Sequence, residues 1–159
     1  MKLTKPIIRK ALAQDIDAIV RLNTQLADYH RKIDDYYKPG EQTAGGFRQF
    51  LQKIIEDENY SVLVAVVEDK TVAYFLGMIA GAKPFLVPEK TGRISDAFVM
   101  ENYRHLGIGK LMFEKLIDWF GSNHIKHIEL SVDARNTIGI KAWKKFGFQE
   151  FMLKMKMKI

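Results

Sequence analysis

The feature that most constrains the fold is the run Ile94-Ser-Asp-Ala-Phe-Val99 leading into Met100-Glu-Asn-Tyr-Arg104-His-Leu-Gly107-Ile-Gly109-Lys110. A largely apolar stretch meets two glycines, and behind them Ile108, Leu111, Met112, Leu116, Trp119 and Phe120 recur at helical spacing. The chain therefore passes from strand to amphipathic helix through a glycine turn. Glycine there lets the backbone approach a ligand closely. The helix start behind it presents unpaired N–H groups and the positive end of the helix dipole. With Arg104 and Lys110 flanking the turn, these parts suit a phosphate or pyrophosphate. The plainer alternative is a turn that only connects strand to helix.

Two nucleotide readings fail on spacing. A mononucleotide P-loop needs Gly-x-x-x-x-Gly-Lys-[Ser/Thr], but Arg104 stands at the first glycine and Leu111 at the hydroxyl position. No side chain there can ligate Mg²⁺. The dinucleotide fingerprint needs a third glycine where Met112 stands, and should follow the first strand.

Around this turn the chain reads as alternating elements. Ile7–Lys10 predicts a short strand, and Ile16, Ile19, Val20, Asn23, Leu26 and Ala27 a helix. His30–Gly46, with Pro39, Gly40 and Gly45–Gly46, predicts a loop. Phe47, Phe50, Leu51, Ile54 and Ile55 predict a second helix. Ser61–Val67 and Thr71–Ala80, joined by Glu68-Asp69-Lys70, form a hairpin signature. Gly92–Val99 is the next extended run, and the helix from Ile108 is expected to close at Gly121. Ile125–Asp133 predicts a strand; Asn136 caps a short helix through Phe146, with Gly147 just beyond its end. Phe148–Ile159 predicts a closing strand, since Leu153, Met155, Met157 and Ile159 alternate with lysines. The order β-α-α-β-β-β-α-β-α-β implies an α/β fold with a mixed sheet. No repeat or linker divides residues 1–159, so one domain is expected.

The sequence has 159 residues and no cysteine, which excludes disulfides, thiolate metal sites and a cysteine nucleophile. His30, His105, His124 and His127 lack metal-ligand spacing, so no metal is expected. The start shows no signal-peptide core, and no stretch reaches the roughly 18 apolar residues of a membrane span. A cytoplasmic protein without a membrane partner is the expectation. A net charge of +6 raises nucleic acid as a partner. However, the charges are dispersed and no basic patch is interleaved with aromatics, so none is expected.

The chain resembles the GNAT superfamily of N-acetyltransferases, which move an acetyl group from acetyl-coenzyme A to an amine. The family signature Arg/Gln-x-x-Gly-x-Gly/Ala reads here Arg104-His105-Leu106-Gly107-Ile108-Gly109. Ile94–Val99 is similar to the family's fourth strand. A second block, an Asn-led helix ending in Gly-Phe, appears as Asn136 through Gly147-Phe148, and Ile8 to Ile19 resembles the family's opening. The likeness spans nearly the whole chain, and implies a mostly antiparallel mixed sheet flanked by helices.

The resemblance implies roles residue by residue. Main-chain groups of Arg104, His105, Leu106, Gly107, Ile108, Gly109 and Lys110 would hold the coenzyme pyrophosphate. Phe98 and Val99 would pair with the pantetheine arm, and the Val99 N–H would stabilise the thioester oxyanion. Asn136 would touch the same arm, and the fourth and fifth strands would splay around the thioester. Where the family usually has a tyrosine as general acid, this chain has Trp143. Its indole donates a hydrogen bond but releases no proton near neutrality. Thiolate departure at pH 7.4 is disfavoured by only about 1.5 kcal/mol for a thiol pKa of about 8.5. A water or a donated hydrogen bond therefore suffices, and Trp143 is either that donor or part of the core.

The amine must lose a proton before attack. The candidate bases are Asp96 on the fourth strand and Glu129 or Asp133 on the fifth, where burial would raise a carboxylate toward a useful range. Each has a plainer reading as a structural or solvent-facing group. Acceptor choice falls to variable segments: Tyr29, His30, Asp34, Asp35, Tyr36, Tyr37 and Glu41, which would suit a cationic amine, and Lys83–Pro88 at the same mouth. The expected function is direct acetyl transfer in a ternary complex to an unnamed primary amine, on a small molecule or a peptide. A non-catalytic acyl-coenzyme A-binding module is the alternative. Oligomeric state is not legible, although dimers are common in the resembled family.

Overall fold

Strands β2 (Tyr60–Val67) and β3 (Lys70–Gly81) are apolar at nearly every inner position, a pattern that requires cover on both faces of the sheet. The computed structural model, which describes residues 5–159, supplies that cover. On one face Val62, Val64, Tyr74 and Leu76 pack with Ile19, Val20 and Leu22 of α1 (Ile16–Ile33) and Leu51 and Ile54 of α2 (Gly40–Ile54). On the other, Leu63, Ala65 and Phe75 pack with Ile108, Met112, Leu116 and Phe120 of α3 (Ile108–Ser122). Each fully buried side chain of this kind contributes roughly 1.5–3 kcal/mol.

The sheet order is β1-β2-β3-β4-β5, with β1 (Ile7–Lys10), β4 (Lys90–Val99) and β5 (Ile128–Leu130) completing it. All neighbours are antiparallel except β4 and β5, which α3 joins in parallel. Helix α4 (Thr137–Lys145) follows β5. The β2–β3 hairpin turns at Glu68 and Asp69, both left-handed at φ 49° and 61°, as a two-residue type I′ turn requires. The mixed, mostly antiparallel α/β architecture expected from the resemblance is present.

Several boundaries differ from the sequence expectation. Helix α1 continues to Ile33 and α2 begins at Gly40, so the expected loop shrinks to residues 34–39. The physical reason lies in the helix contact. Gly40 N–H donates to Asp28 Oδ1 at 2.7 Å, and a Cβ on Gly40 would lie 2.4 Å from the Thr24 carbonyl oxygen. Gly45 and Gly46 occupy the exposed face of α2, where packing carried by Phe47, Leu51 and Ile54 overrides their weak propensity. Helix α3 passes Gly121 by one residue.

Two further corrections concern the far edge of the sheet. Strand β5 has only three residues, not the nine expected over Ile125–Asp133. Residues 149–159 join no strand, and Leu153, Met155 and Met157 are exposed. Alternation makes a strand only where a neighbour offers a ladder of hydrogen bonds, and β5 is too short to offer one. No helix of the described residues is long and apolar enough to cross a membrane.

Candidate active site

The turn after β4 is a main-chain construction. Met100 N–H donates to Val72 O at 2.9 Å, and a single 3₁₀ turn, Glu101–Tyr103, follows. Arg104 Nε donates to Val99 O at 2.9 Å and its guanidinium lies 5.8 Å from the Phe98 ring centre. The arginine side chain therefore braces the turn. His105 and Gly107 take left-handed φ of 63° and 80°, a local alternation that turns successive N–H groups to one side. The first helical bond of α3 runs from Leu111 N–H to Gly107 O at 3.1 Å. The N–H groups of Ile108, Gly109 and Lys110 precede it and lack intrahelical acceptors. The first turn of α3 carries no acidic side chain, which leaves its N–H groups and dipole unopposed from within the helix start. Lys110 is exposed, with its ammonium 3.7 Å from Glu114.

Beside this turn the sheet opens. Strands β4 and β5 pair only over Gly92–Ile94 against Ile128–Leu130. Beyond Ile94, β4 runs on to Val99 with no strand at that edge among the described residues. Neighbouring residues of a strand point their N–H groups to opposite sides. Since Met100 N–H faces β3, Val99 N–H faces the side β5 has left. A Cβ on Gly109 would come to 3.9 Å from Val99 Cγ2, so the helix start and the strand end meet closely at the mouth of this gap.

A bulge decides which β4 side chains line each face. Leu76 pairs with Asp96 and the next residue, Gly77, with Ile94, leaving Ser95 extra. Ile94 therefore packs on the α3 side, while Phe98 belongs to the α1/α2 core. Asp96 shares the α1/α2 face with Tyr74. Tyr74 is fully buried and accepts a hydrogen bond from Asn23 Nδ2 at 2.9 Å. It lies one ladder pair along from Asp96 on the same face, close enough for its hydroxyl to stabilise the charged carboxylate. Burial pushes the Asp96 carboxyl up to about 6, although the Tyr74 hydrogen bond favours its charged form. Asn23 and Tyr74 were not read as site residues from sequence. The signal was present, in a tyrosine inside an apolar strand and an asparagine on the apolar stripe of α1.

Glu129 lies opposite Arg93 in the β4–β5 pairing and is partly buried. Asp133 falls beyond the end of β5, and its carboxylate is already engaged. Arg135 Nε lies at 3.1 Å and Tyr37 OH donates at 2.9 Å, so hydrogen bonds from Arg135 above all hold it down at about 2. Asp133 is therefore committed to Arg135 and Tyr37 rather than held in a raised range. Asn136 caps α4, accepting from Gly139 N–H and from Tyr29 OH, both at 3.0 Å. Trp143 sits in an aromatic cluster, 5.5 Å from Phe148 edge-on, 6.4 Å from Phe113 and 6.5 Å from Phe75.

The acceptor segment is also more occupied than expected. Asp34 pairs with both Arg135 and Lys156, which hold its carboxyl well below the usual range, and Lys156 lies 4.1 Å over the Tyr36 ring. The carboxylates Asp34 and Asp133 are thus neutralised internally and do not stand open to a cationic amine. His30 lies between Tyr29 and Tyr37, with ring centres 6.0 and 5.2 Å away, and burial pushes its imidazole down. No cluster of three or more His, Asp or Glu able to hold a metal occurs among the described residues.

A splayed parallel pair at the edge of an otherwise antiparallel sheet, with a glycine turn and helix start at its mouth, defines the acetyltransferase architecture. Residues 7–148 match the acetyltransferase (GNAT) family, and the chain belongs to it. An uncharacterized N-acetyltransferase of Methanocaldococcus jannaschii is 26% identical over 143 residues. That alignment covers 90% of this chain but only 60% of the relative. Among solved structures, a variant of the BH1408 protein of Bacillus halodurans is similar, with 30% identity, a TM-score of 0.84, and coverage of 96% of this chain and 99% of that one. A predicted acetyltransferase of Clostridium acetobutylicum, crystallised with acetyl-coenzyme A, shares the fold at a TM-score of 0.77 and 18% identity, covering 97% of this chain and 96% of that one.

Proposed function

We propose that the protein is an N-acetyltransferase that moves an acetyl group from acetyl-coenzyme A to a primary amine by direct attack in a ternary complex. The observation that carries the reading is the end of β4–β5 pairing at Ile94–Leu130, with Val99 N–H facing the gap and the α3 N-terminus at its mouth. In this reading the main chain of Arg104–Lys110 binds the coenzyme pyrophosphate. Phe98 and Val99 bind the arm through backbone groups, and Asn136 borders it. Val99 N–H donates to the carbonyl oxygen as negative charge develops there. Asp96, held up to about 6, takes the ammonium proton so that the neutral amine attacks. Glu129 is the second candidate, reached if the acceptor enters nearer β5. Trp143 belongs to the aromatic core, and the thiolate leaves with a proton from water.

The test begins with thermal stability in separate excess of acetyl-coenzyme A, ATP and NAD. A ligand at about 100 times its Kd stabilises by about 2.7 kcal/mol, roughly 5–10 °C in Tm for a domain near this size. A shift with acetyl-coenzyme A alone supports the donor. Multiple-turnover release of coenzyme A with a panel of spermidine, glucosamine 6-phosphate, an aminoglycoside and a lysine peptide then supports transfer. A shift without turnover on any primary amine leaves a non-catalytic acyl-coenzyme A-binding module. A shift only with ATP or NAD overturns the reading of the turn.

A further inference from the structure

Three polar side chains from three elements meet on the α1/α2 face of the sheet, surrounded by Val64, Leu76, Phe98 and Ile19. Nothing in the strand ladder requires them, since the backbone groups of β3 are already paired on both sides. A Phe at 74 and a Leu at 23 would fill this core without burying polar atoms. Burying such groups is costly unless each is satisfied, and here each is. The direction of the hydrogen bonds follows from the chemistry. A carbonyl of Asn23 facing Tyr74 would draw the hydroxyl proton to itself and turn the phenol lone pairs toward a carboxylate, which is repulsive. With Nδ2 facing Tyr74 at 2.9 Å, the single hydroxyl proton is left for Asp96. The chain of donors therefore runs from Asn23 to Tyr74 to Asp96.

We infer that Asn23 and Tyr74 are positioning residues that hold one oxygen of Asp96 and leave the other free to take a proton from the gap. The inference rests on the reading of Asp96 as the base. Tyr74 is fully buried while Asn23 and Asp96 each keep some exposure, and of these two only the Asp96 carboxylate can take up a proton near neutrality. The groups facing it are few. β3 contributes Tyr74, α1 the uncharged Asn23, and β4 itself Phe98 on the same face. Arg93 and Glu129 lie further along this face at the β4–β5 pairing. Among the described residues, only Tyr74 and burial perturb the Asp96 carboxyl. Its protonation is therefore set first by burial and then by one hydroxyl whose direction Asn23 dictates.

The whole protein, labelled with carbon-13 at the aspartate carboxyl carbons, is titrated by NMR, with the Asp96 signal assigned by its loss in Asp96→Asn. Tyr74→Phe deletes the donated hydrogen bond, and the Asp96 midpoint rises by about one pH unit. Asn23→Asp keeps the shape of the amide but supplies an acceptor that draws the Tyr74 proton away and, when ionised, adds a like charge; both raise the midpoint. The uncharged Tyr74→Phe therefore carries the assignment, and Asn23→Asp must move in the same direction. The acid limb of kcat/KM, followed with acetyl-coenzyme A and whichever amine of the panel turns over, moves with the midpoint. Loss of stability alone does not produce these shifts. Midpoints unmoved in folded Tyr74→Phe and Asn23→Asp overturn the positioning role and leave the base untouched. An Asp96→Asn enzyme that keeps the wild-type pH profile overturns the base instead, whatever the titration shows.

Discussion

The Arg104–Lys110 turn and the Asn23–Tyr74–Asp96 cluster both depend on β4, but they are built from different materials. The turn is main chain: left-handed φ at His105 and Gly107, three N–H groups at the start of α3, and an arginine folded back on Val99 O. The cluster is side chain, drawn from α1, β3 and β4, and depends on burial. A backbone site tolerates change in its side chains and fails when the backbone is obstructed. A side-chain site fails at the loss of a single oxygen. The difference matches the two roles proposed above, coenzyme binding for the turn and proton transfer for the cluster.

The sharpest way to break this comparison is Asp96→Asn. Turnover should fall by about 10²–10⁴-fold at pH 7 and by less at pH 9, where more of the amine is already neutral. Equal losses at the two pH values would remove Asp96 from the proton transfer while leaving the turn intact.

Stability against pH separates Asp96 from the outer carboxylates by sign. Asp96 is raised from 3.8 to about 6 in the folded state. The native protein therefore holds a proton that the unfolded chain releases, and the wild type loses stability as pH rises from about 4 to 6. The raised pKa corresponds to up to about 3 kcal/mol. Thermal melts should show Asp96→Asn gaining on the wild type across that window, and parallel curves would contradict it. Asp34 and Asp133 are lowered instead, by Arg135 and Lys156. Their contribution is present above about pH 4 and is lost as pH falls toward 2.

Obstruction of the turn comes next. Gly107→Val should weaken acetyl-coenzyme A binding by about 100-fold, or about 2.7 kcal/mol, measured by calorimetry. The fold should survive, because nothing lies within 4 Å of a Cβ at that position, although the left-handed φ adds roughly 1–2 kcal/mol of strain. Gly109→Ala, with its methyl in ordinary contact with Val99, should bind far better than Gly107→Val. Unchanged affinity in Gly107→Val would sink the phosphate assignment. The smallest effect is expected from Trp143→Phe: about 1 kcal/mol of stability and unchanged turnover, consistent with its aromatic packing. A large loss of turnover would move Trp143 from the core to the chemistry.

Much of this was legible before any coordinates. The hairpin, the α3 stripe, the Asn136 cap and the glycine turn each depend on residues within a few positions of one another. The misreadings share a different character. Gly40, Gly45 and Gly46 suggested a loop because propensity counts only neighbours, whereas α2 is held by Leu51 and Ile54 against the sheet and by Gly40 against Thr24. The Lys154–Ile159 alternation suggested a strand, but a strand needs a partner. The acidic segment after α1 suggested an open cation site, yet Asp34 is paired with Arg135 and Lys156, which lie far along the chain.

The sequence by itself determined where the chain turns, which helix faces are apolar and where a glycine turn meets a helix start, because φ sign and short-range periodicity are local properties. Only the tertiary structure decided that the bulge at Ser95 puts Asp96 on the face of Tyr74 and Ile94 on the other. It also decided that β5 leaves β4 after Ile94 and that Arg135 neutralises the carboxylates beside the gap. Alternation read along the sequence would have placed Ile94, Asp96 and Phe98 on one face. One extra residue, accommodated only because β3 lies alongside, reverses that phase and brings the carboxylate to its tyrosine.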